Sequence, residues 1–394
     1  VITHRREPNM KRNIKRLPAL LLAILLCLNL LPGTALALEI SGEGWKFDLT
    51  DMSKPTLIIE SDEGMDDWIA NGSAYRGIVL AVELAEGITK IPYHAFYKCS
   101  QLTTVEIPAS VTEMGKNDVF EGCTSLTEIT VAEGNQNFFV EDSVLYGYAE
   151  GKTNEFIALI CPPGKSGSVT LKAGTVEIGG SAFEGCTKLT GVTLNEGLTR
   201  IGSNAFGGCS SLQNVTLPAS LTSLGNGVFN GCVGLTSLAV ADGNADYSAE
   251  DGVLYDKGQT ELLLYPAAKS DADFTVPGSV THIASYAFQG ARHLKTVTAG
   301  NLTSIESSAF TNCEALTSFT ADSLSEVESQ AFYGCSNLAT FTLTDADSLT
   351  TIGGSAFNRC SSLTAAPIAG ATSIEEGAFQ DCTALTSLSF CETG

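Results

Sequence analysis

Histidine and basic side chains are scarce in this sequence. Its 394 residues include four histidines and 22 lysines or arginines, against 44 aspartates or glutamates. His4, His94, His282 and His293 lie far apart, and no Ser-His-Asp, Cys-His or H-E-x-x-H arrangement includes them. The acidic surplus repels phosphate backbones and anionic lipids. The sequence therefore predicts no catalytic site, no cofactor or metal site, no nucleic-acid partner and no direct membrane association.

Long apolar runs are almost absent, and one, from Leu17 to Leu31, stands near the start. Basic residues precede this run and a small-x-small sequence ending at Ala37 follows it, which is the layout of a secretory signal peptide. The run is too short, and too close to the cleavage sequence, for a good membrane span. We expect translation from Met10, cleavage after Ala37 and export. Removing residues 1–37 takes away six basic and one acidic side chain, which leaves a net charge of −27.

What the sequence does contain is a frame of about 23 residues that recurs ten times. Residues 201–224 show it clearly: I-G-S-N-A-F-G-G-C-S-S-L-Q-N-V-T-L-P-A-S-L-T-S-L. An aliphatic residue opens each copy, a phenylalanine follows five or six residues later, and a cysteine comes three residues after that, except where Ala291 replaces it. The phenylalanines are Phe96, Phe120, Phe183, Phe206, Phe229, Phe288, Phe310, Phe332, Phe357 and Phe379.

A period of this length predicts a solenoid, because one unit cannot bury its apolar face without a stacked neighbour. After the cysteine comes Leu-x-x-apolar-x-apolar, whose alternation predicts one half-buried strand per unit. Stacked strands would form a parallel sheet on the concave face, and the Ala-Phe-x-x-Cys segment a turn or short helix on the convex face. We expect a curved α/β-type repeat solenoid.

The frame resembles the BspA-type family of leucine-rich repeats, whose units read I-G-x-x-A-F-x-x-C-x-x-L-x-x-[IV]-x-[IL]-P-x-S-[VL]-T. The resemblance covers residues 79–394. The family consists of bacterial and protist surface proteins, so the resemblance implies a protein that is secreted or held at the cell surface, here of a bacterium, and that is not an enzyme. It further implies adhesion to extracellular or host-surface proteins, and possible glycan partners.

Small polar residues occupy the strand positions that alternate outward from the core, with few charges and no aromatic rings. They are suited to hydrogen bonding with a protein or polymer on a solenoid surface. The strand propensity of threonine explains the same pattern without a ligand, and both interpretations stay open. The candidate binding residues are Thr104, Thr130, Thr193, Asn214, Thr216, Thr296, Thr298, Ser318, Thr320, Thr340 and Thr342.

Three segments depart from the frame. Residues 38–78 contain Trp45 and Trp68 and would cover the first apolar layer as an N-terminal cap, with sugar stacking on the tryptophans as an alternative. Residues of about 132–170 and 241–275 predict β-hairpin insertions, which often carry recognition. At the other end, the absence of a capping repeat after the last unit predicts a truncated C-terminus.

Nine cysteines share one repeat position, so they form a ladder along the coil rather than a disulfide framework. We expect them to be buried free thiols that serve as small apolar residues. Cys161 and Cys391 lie outside the ladder and could pair elsewhere. A further motif, residues 242–246 (D-G-N-A-D), begins like a calcium loop, but Tyr247 replaces the required glycine, which favours a solvated turn.

Together these features predict an exported, non-catalytic leucine-rich-repeat protein that mediates binding or adhesion. A structural coat or spacer protein is the main alternative. A carbohydrate-active enzyme is a weaker one, because carboxylates are plentiful but a stacked repeat offers no obvious deep pocket to raise the pKa of one of them.

Overall fold

The computed structural model describes residues 40–51, 53–115 and 118–386. The predicted signal peptide, Cys391 and most of the last predicted strand lie outside these ranges. The described chain opens with β1 (Trp45–Asp48), β2 (Thr56–Ile59), α1 (Asp62–Asn71) and a 3-10 helix (Gly72–Ile78). Ser61 caps α1, because its hydroxyl accepts a 3.1 Å bond from the Gly64 amide.

All further regular elements in the described ranges are strands. In chain order they are β3 (Ala81–Leu84), β4 (Lys90–Ile91), β5 (Thr104–Ile107), β6 (Glu113–Met114), β7 (Glu128–Val131), β8 (Phe138–Glu141), β9 (Val144–Tyr148), β10 (Phe156–Ile160), β11 (Ser166–Thr170), β12 (Thr175–Ile178), β13 (Lys188–Thr193), β14 (Arg200–Ile201), β15 (Asn214–Leu217), β16 (Ser223–Leu224), β17 (Ser237–Val240), β18 (Tyr247–Glu250), β19 (Val253–Asp256), β20 (Glu261–Leu264), β21 (Asp273–Thr275), β22 (His282–Ile283), β23 (Thr296–Ala299), β24 (Ser304–Ile305), β25 (Ser318–Ala321), β26 (Glu326–Val327), β27 (Thr340–Leu343), β28 (Thr351–Ile352) and β29 (Ser373–Ile374).

Over the described residues the chain forms a β-solenoid of about 14 turns with few helices. Repeat units contribute a longer strand, such as β23, and a two-residue strand, such as β24, and each kind pairs in parallel with its counterpart in the next unit. The sequence predicts only the longer strand. The shorter one forms at the aliphatic residue that opens the unit, and two residues are too few to show an alternating pattern.

The Ala-Phe-x-x-Cys segments are turns, and in the described chain helices are confined to residues 62–78. In each unit the residue two before the phenylalanine and the residue two after it have a left-handed backbone, as at Asn204 (φ 54°) and Gly208 (φ 69°). Two left-handed residues so close together prevent a helix, which removes the short-helix alternative.

The phenylalanines stack along the coil and form the centre of the core. Phe206 is fully buried, and its ring centroid lies 4.9 Å from that of Phe183 and 5.5 Å from that of Phe229. Tyr265, which directly follows β20, takes a phenylalanine's place and stacks on Phe288 at 5.0 Å. The rings therefore form three stacks, from Phe96 to Phe120, from Phe183 to Phe229 and from Tyr265 to Phe379, and the stacking is interrupted at each long non-repeat segment.

The ten cysteines of the described region are free, and nine of them are buried. The ladder thiols fill space in the core and also donate hydrogen bonds. Cys209 Sγ donates to the Phe183 carbonyl at 3.1 Å, and Cys232 repeats the contact with the Phe206 carbonyl at 3.0 Å. Each of these hydrogen bonds links the thiol of one turn to a buried backbone carbonyl of the preceding turn. Cys161 is also buried and free, and its carbonyl accepts a 3.6 Å bond from Cys186 Sγ.

The two long non-repeat segments each contain three antiparallel strands, β8–β10 and β18–β20, which we call the first and second meanders. The sequence predicts a two-stranded hairpin set between units. In the structure the last strand of each meander instead pairs in parallel with the next short strand, β10 with β12 and β20 with β22. The hydrophobic core divides into three clusters, with the divisions near these meanders.

The calcium-like stretch serves as a buried structural turn. Asn244 is 2% exposed, and its Nδ2 donates to the carbonyls of Pro218 and Leu221, while its Oδ1 accepts from the amides of Asp246 and Tyr247. The expectation of a solvated turn is therefore wrong at Asn244. Asn135 makes the equivalent bonds ahead of the first meander.

Candidate functional site

Six hydroxyl side chains form a regular grid on the sheet of β21, β23, β25 and β27. Members of each row are register partners on successive strands, so about 4.8 Å separates neighbouring backbones. A single extended ligand could therefore contact several of them. The grid consists of a first row, Thr296, Ser318 and Thr340, and a second row, Thr298, Thr320 and Thr342; we call it the hydroxyl face.

The hydroxyl face points outward because the residues between its two rows occupy the core. Val297 and Phe319 are fully buried, and the rings of Phe319 and Phe341 stack at 4.9 Å. In a strand, successive side chains point to opposite faces, so burial of this row directs its neighbours to solvent. The predicted alternation is confirmed here.

Most of the hydroxyl groups on this face are free to bond outside the chain. Thr340 Oγ1 donates to Ser318 Oγ at 3.1 Å. Within the described residues, the hydroxyls of Thr298, Thr320 and Thr342 have no protein partner. Each hydroxyl offers one donor and two acceptor positions, which suits recognition of backbone amides or other hydroxyls.

The other five predicted residues do not join this grid. Thr104 and Thr130 lie on β5 and β7, Thr193 on β13, and Asn214 and Thr216 on β15, in three other sheets. All five are exposed. The Asn214 Oδ1 already accepts a 2.9 Å bond from Thr236. The structure therefore brings together six of the eleven candidate residues.

A cleft of about 520 Å³ that the sequence does not predict lies between β7 and the first meander. Its wall includes Thr130, Phe139 and Ser143. In the described chain β7 pairs on one side only, with β5. At the equivalent edge of β17, by contrast, the Leu238 amide donates to the Gly252 carbonyl at 2.9 Å. The two meanders fold back differently on the strands that precede them, β7 and β17. The repeat period does not encode this difference.

The tryptophans do not form a sugar-binding platform. Trp45 and Trp68 are 4% and 0% exposed, and their ring centroids lie 5.2 Å apart. Trp68 Nε1 donates to the Ala95 carbonyl at 2.8 Å, and Trp45 Nε1 to Asp67 at 2.7 Å. Sugar stacking needs an open ring face, so this alternative is wrong for both side chains.

The three described histidines belong to different parts of the coil. His94 lies in a turn, His282 on β22, and His293 in a later turn. They are not brought together, and the structure adds no support for a histidine-based catalytic site. Across the described ranges, no helix combines the length and apolarity needed to cross a bilayer.

Two solved structures of bacterial proteins share the fold of this chain. A leucine rich cell surface protein from Faecalibacterium prausnitzii is 24% identical, with a TM-score of 0.61 over 91% of this chain and 96% of its own. The pneumococcal vaccine antigen PcpA is 20% identical, with a TM-score of 0.50 over 91% of this chain and 88% of its own. At these identities the likeness concerns the fold alone.

No curated protein matches the chain. The sequence profile of the family described as "BspA type Leucine rich repeat region" matches six copies, over residues 72–146, 165–250 and 268–393. These ranges cover well over half of the sequence and include all three strands of the hydroxyl face. This chain belongs to the BspA-type leucine-rich repeat family.

Proposed function

We propose that this chain is an exported, non-catalytic binding protein that attaches to extracellular or host-surface proteins through the hydroxyl face. The observation that carries the proposal is the in-register grid of six hydroxyl-bearing side chains. Three of these hydroxyls have no protein partner within the described region, so they can replace water with a ligand's amides or hydroxyls at little structural cost. Glycans are a second ligand class with the same hydrogen-bonding chemistry.

Charge and family membership support this function. The net charge of −22 disfavours nucleic acid and anionic membranes as partners. One similar solved structure is described as a cell surface protein and another as a vaccine antigen. A bacterial surface location, reached through cleavage after Ala37, is the location we propose for this chain.

The non-repeat segments take supporting roles in this proposal. Residues 38–78 act as the N-terminal cap, since Phe47, Met65 and Trp68 pack in one cluster with Phe96 of the first repeat. The meanders are a second candidate recognition surface. Residues 79–394 form the repeat domain in which both surfaces lie.

A pull-down with the immobilised chain tests the binding surface. Extracellular-matrix and mucosal proteins are passed over wild type and over a triple variant with Thr298, Thr320 and Thr342 changed to lysine. The matched control places lysine at Thr124, Thr187 and Thr383, which are exposed in the turns after ladder cysteines. We expect specific capture by wild type and by the control, and its loss in the triple variant.

Other outcomes contradict specific parts of the proposal. Capture that survives the triple variant would reject the hydroxyl face and favour the meanders or the cap. Absence of any capture would reject a binding role and favour the structural coat protein. Amino-terminal sequencing of the secreted chain tests export, with Leu38 as the expected first residue.

A further inference from the structure

We propose that His94, Asp118 and Glu121 bind one divalent transition-metal ion of the zinc type. Each offers one ligand atom, and these three atoms all lie within 4.8 Å of one another. His94 Nε2 is 3.8 Å from Asp118 Oδ2. The imidazole and the Asp118 carboxylate are 39% and 18% exposed, so an ion could enter from solvent and still be partly enclosed.

The backbone holds these side chains in neighbouring turns of the coil. The amides of Phe96 and Lys98 donate to the carbonyls of Val119 and Glu121, at 2.9 and 2.7 Å. His94 lies two residues before Phe96, whose amide makes the first bond, and Glu121 supplies the carbonyl that accepts the second. Two backbone bonds thus fix the spacing between the turn that carries the imidazole and the turn that carries both carboxylates.

His94 and Asp118 occupy the same repeat position, and both have a left-handed backbone, with φ of 62° and 61°. Equal backbone geometry on stacked turns gives the two side chains the same starting direction. At this repeat position, an imidazole and a carboxylate in successive units occur only in this pair. The same position elsewhere holds Ser181, Asn204, Gly227, Tyr286, Ser308, Gln330, Ser355 and Gly377.

The surroundings favour a cation. Tyr93 Oη donates to Asp118 Oδ2 at 2.7 Å, which is the kind of outer contact that orients a metal-binding carboxylate. Burial and the nearby carboxylates of Asp118 and Glu184 raise the pKa of Glu121, while His94 and Lys98 oppose this only in part. An ion between the ligands would relieve this carboxylate repulsion directly.

A small cavity lies beside the two carboxylates. It has a volume of about 20 Å³ and is lined by Asp118 and Glu121 of the second unit, by residues near Cys161, and by Ser181 and Glu184 of the following unit, but not by His94. This is enough room for one water molecule. The cavity therefore adjoins the carboxylate ligands and is separate from the point where all three ligand atoms converge.

The ligand set selects the class of metal. One imidazole nitrogen and two carboxylate oxygens match zinc, which commonly takes nitrogen and oxygen ligands and keeps a further position for water. Calcium prefers six to eight oxygen ligands, which this cluster does not supply. We therefore expect Zn²⁺ to bind and Ca²⁺ not to compete with it.

Isothermal titration of the chelator-treated full chain with ZnCl₂ tests the site. We expect one Zn²⁺ per chain, and affinity at least tenfold weaker in both His94→Asn and Glu121→Gln. Asparagine tolerates the left-handed backbone at this position, so the variant keeps the turn and loses the imidazole. His293→Ala, which removes an exposed histidine outside the cluster, is the matched control and should bind as wild type does.

Cobalt substitution gives a second readout that does not depend on affinity. Co²⁺ bound by the wild type should show visible absorption that is changed in His94→Asn and unchanged in His293→Ala. Circular dichroism of each variant checks that the coil is intact. Absence of Zn²⁺ binding to wild type, or equal binding by wild type and both cluster variants, would overturn the proposal.

Discussion

Replacing Phe206 with alanine tests the core of the solenoid most directly. The side chain is fully buried between the rings of Phe183 and Phe229, so the substitution removes two stacking contacts at once. Transfer of a buried phenylalanine from water contributes about 1.5–3 kcal/mol. The unfilled cavity adds to this loss, and Phe→Ala in a core typically costs about 3–5 kcal/mol in total. We expect the upper half of that range, because both neighbouring units are held by their own ladders and cannot collapse inward.

Hydrogen exchange is the appropriate assay, since long repeat arrays need not unfold in a single step. The amides of residues 183–229 should exchange through openings that are lower in free energy by this amount, while those of residues 310–357 change little. Tyr148→Ala is the control, because that ring is 42% exposed. Protection of residues 183–229 that stays within about 0.5 kcal/mol of wild type would refute the reasoning from stacking.

Three further predictions concern the thiols and the asparagine turns. Burial raises the pKa of the Cys99 thiol to about 12, so ladder thiols should resist Ellman's reagent at pH 8 until the chain unfolds; rapid labelling of folded protein would contradict this. In the unfolded chain the cysteine thiols ionise near pH 9, whereas burial keeps Cys99 and Cys382 protonated to about pH 12 in the folded chain. The free energy of unfolding should therefore fall as the pH rises from 9 to 12, as measured by denaturant titration. A free energy of unfolding that does not change over this pH range would show that the thiols are accessible. Asn244→Ala removes the bonds to the carbonyls of Pro218 and Leu221 and from the amides of Asp246 and Tyr247, and should cost about 1–3 kcal/mol in thermal denaturation, against a much smaller effect for exposed Asn301→Ala.

The sequence predicts the repeat and its core because both are periodic. The phenylalanine and cysteine positions recur at a fixed spacing, and the structure places Phe206 and Cys209 in continuous ladders. The turns are harder, because Phe and Cys three residues apart also fit one face of a helix. What decides between them is the left-handed backbone at Asn204 and Gly208, which depends on contacts with neighbouring turns.

The candidate sites also differ in whether the repeat period predicts them. The hydroxyl face follows from strand alternation, so all six of its members could be identified from residue spacing. The cleft beside β7 and the cluster of His94, Asp118 and Glu121 depend on which side chains meet across turns and meanders. Aligning units on the phenylalanine would have placed His94 and Asp118 at one position. It would not have shown that Glu121 reaches the same point.

The pairing of β10 with β12 and of β20 with β22 has a consequence for how this architecture changes in length. Each meander ends as a rung of the same ladder that the ordinary units build, so it replaces part of a turn and is not an appendage to one. Cutting out residues 138–148 alone would leave β10 without its antiparallel partner and break the ladder's continuity. We therefore expect insertions and deletions that keep the fold to add or remove whole turns, with each meander counted as part of the turn that it completes.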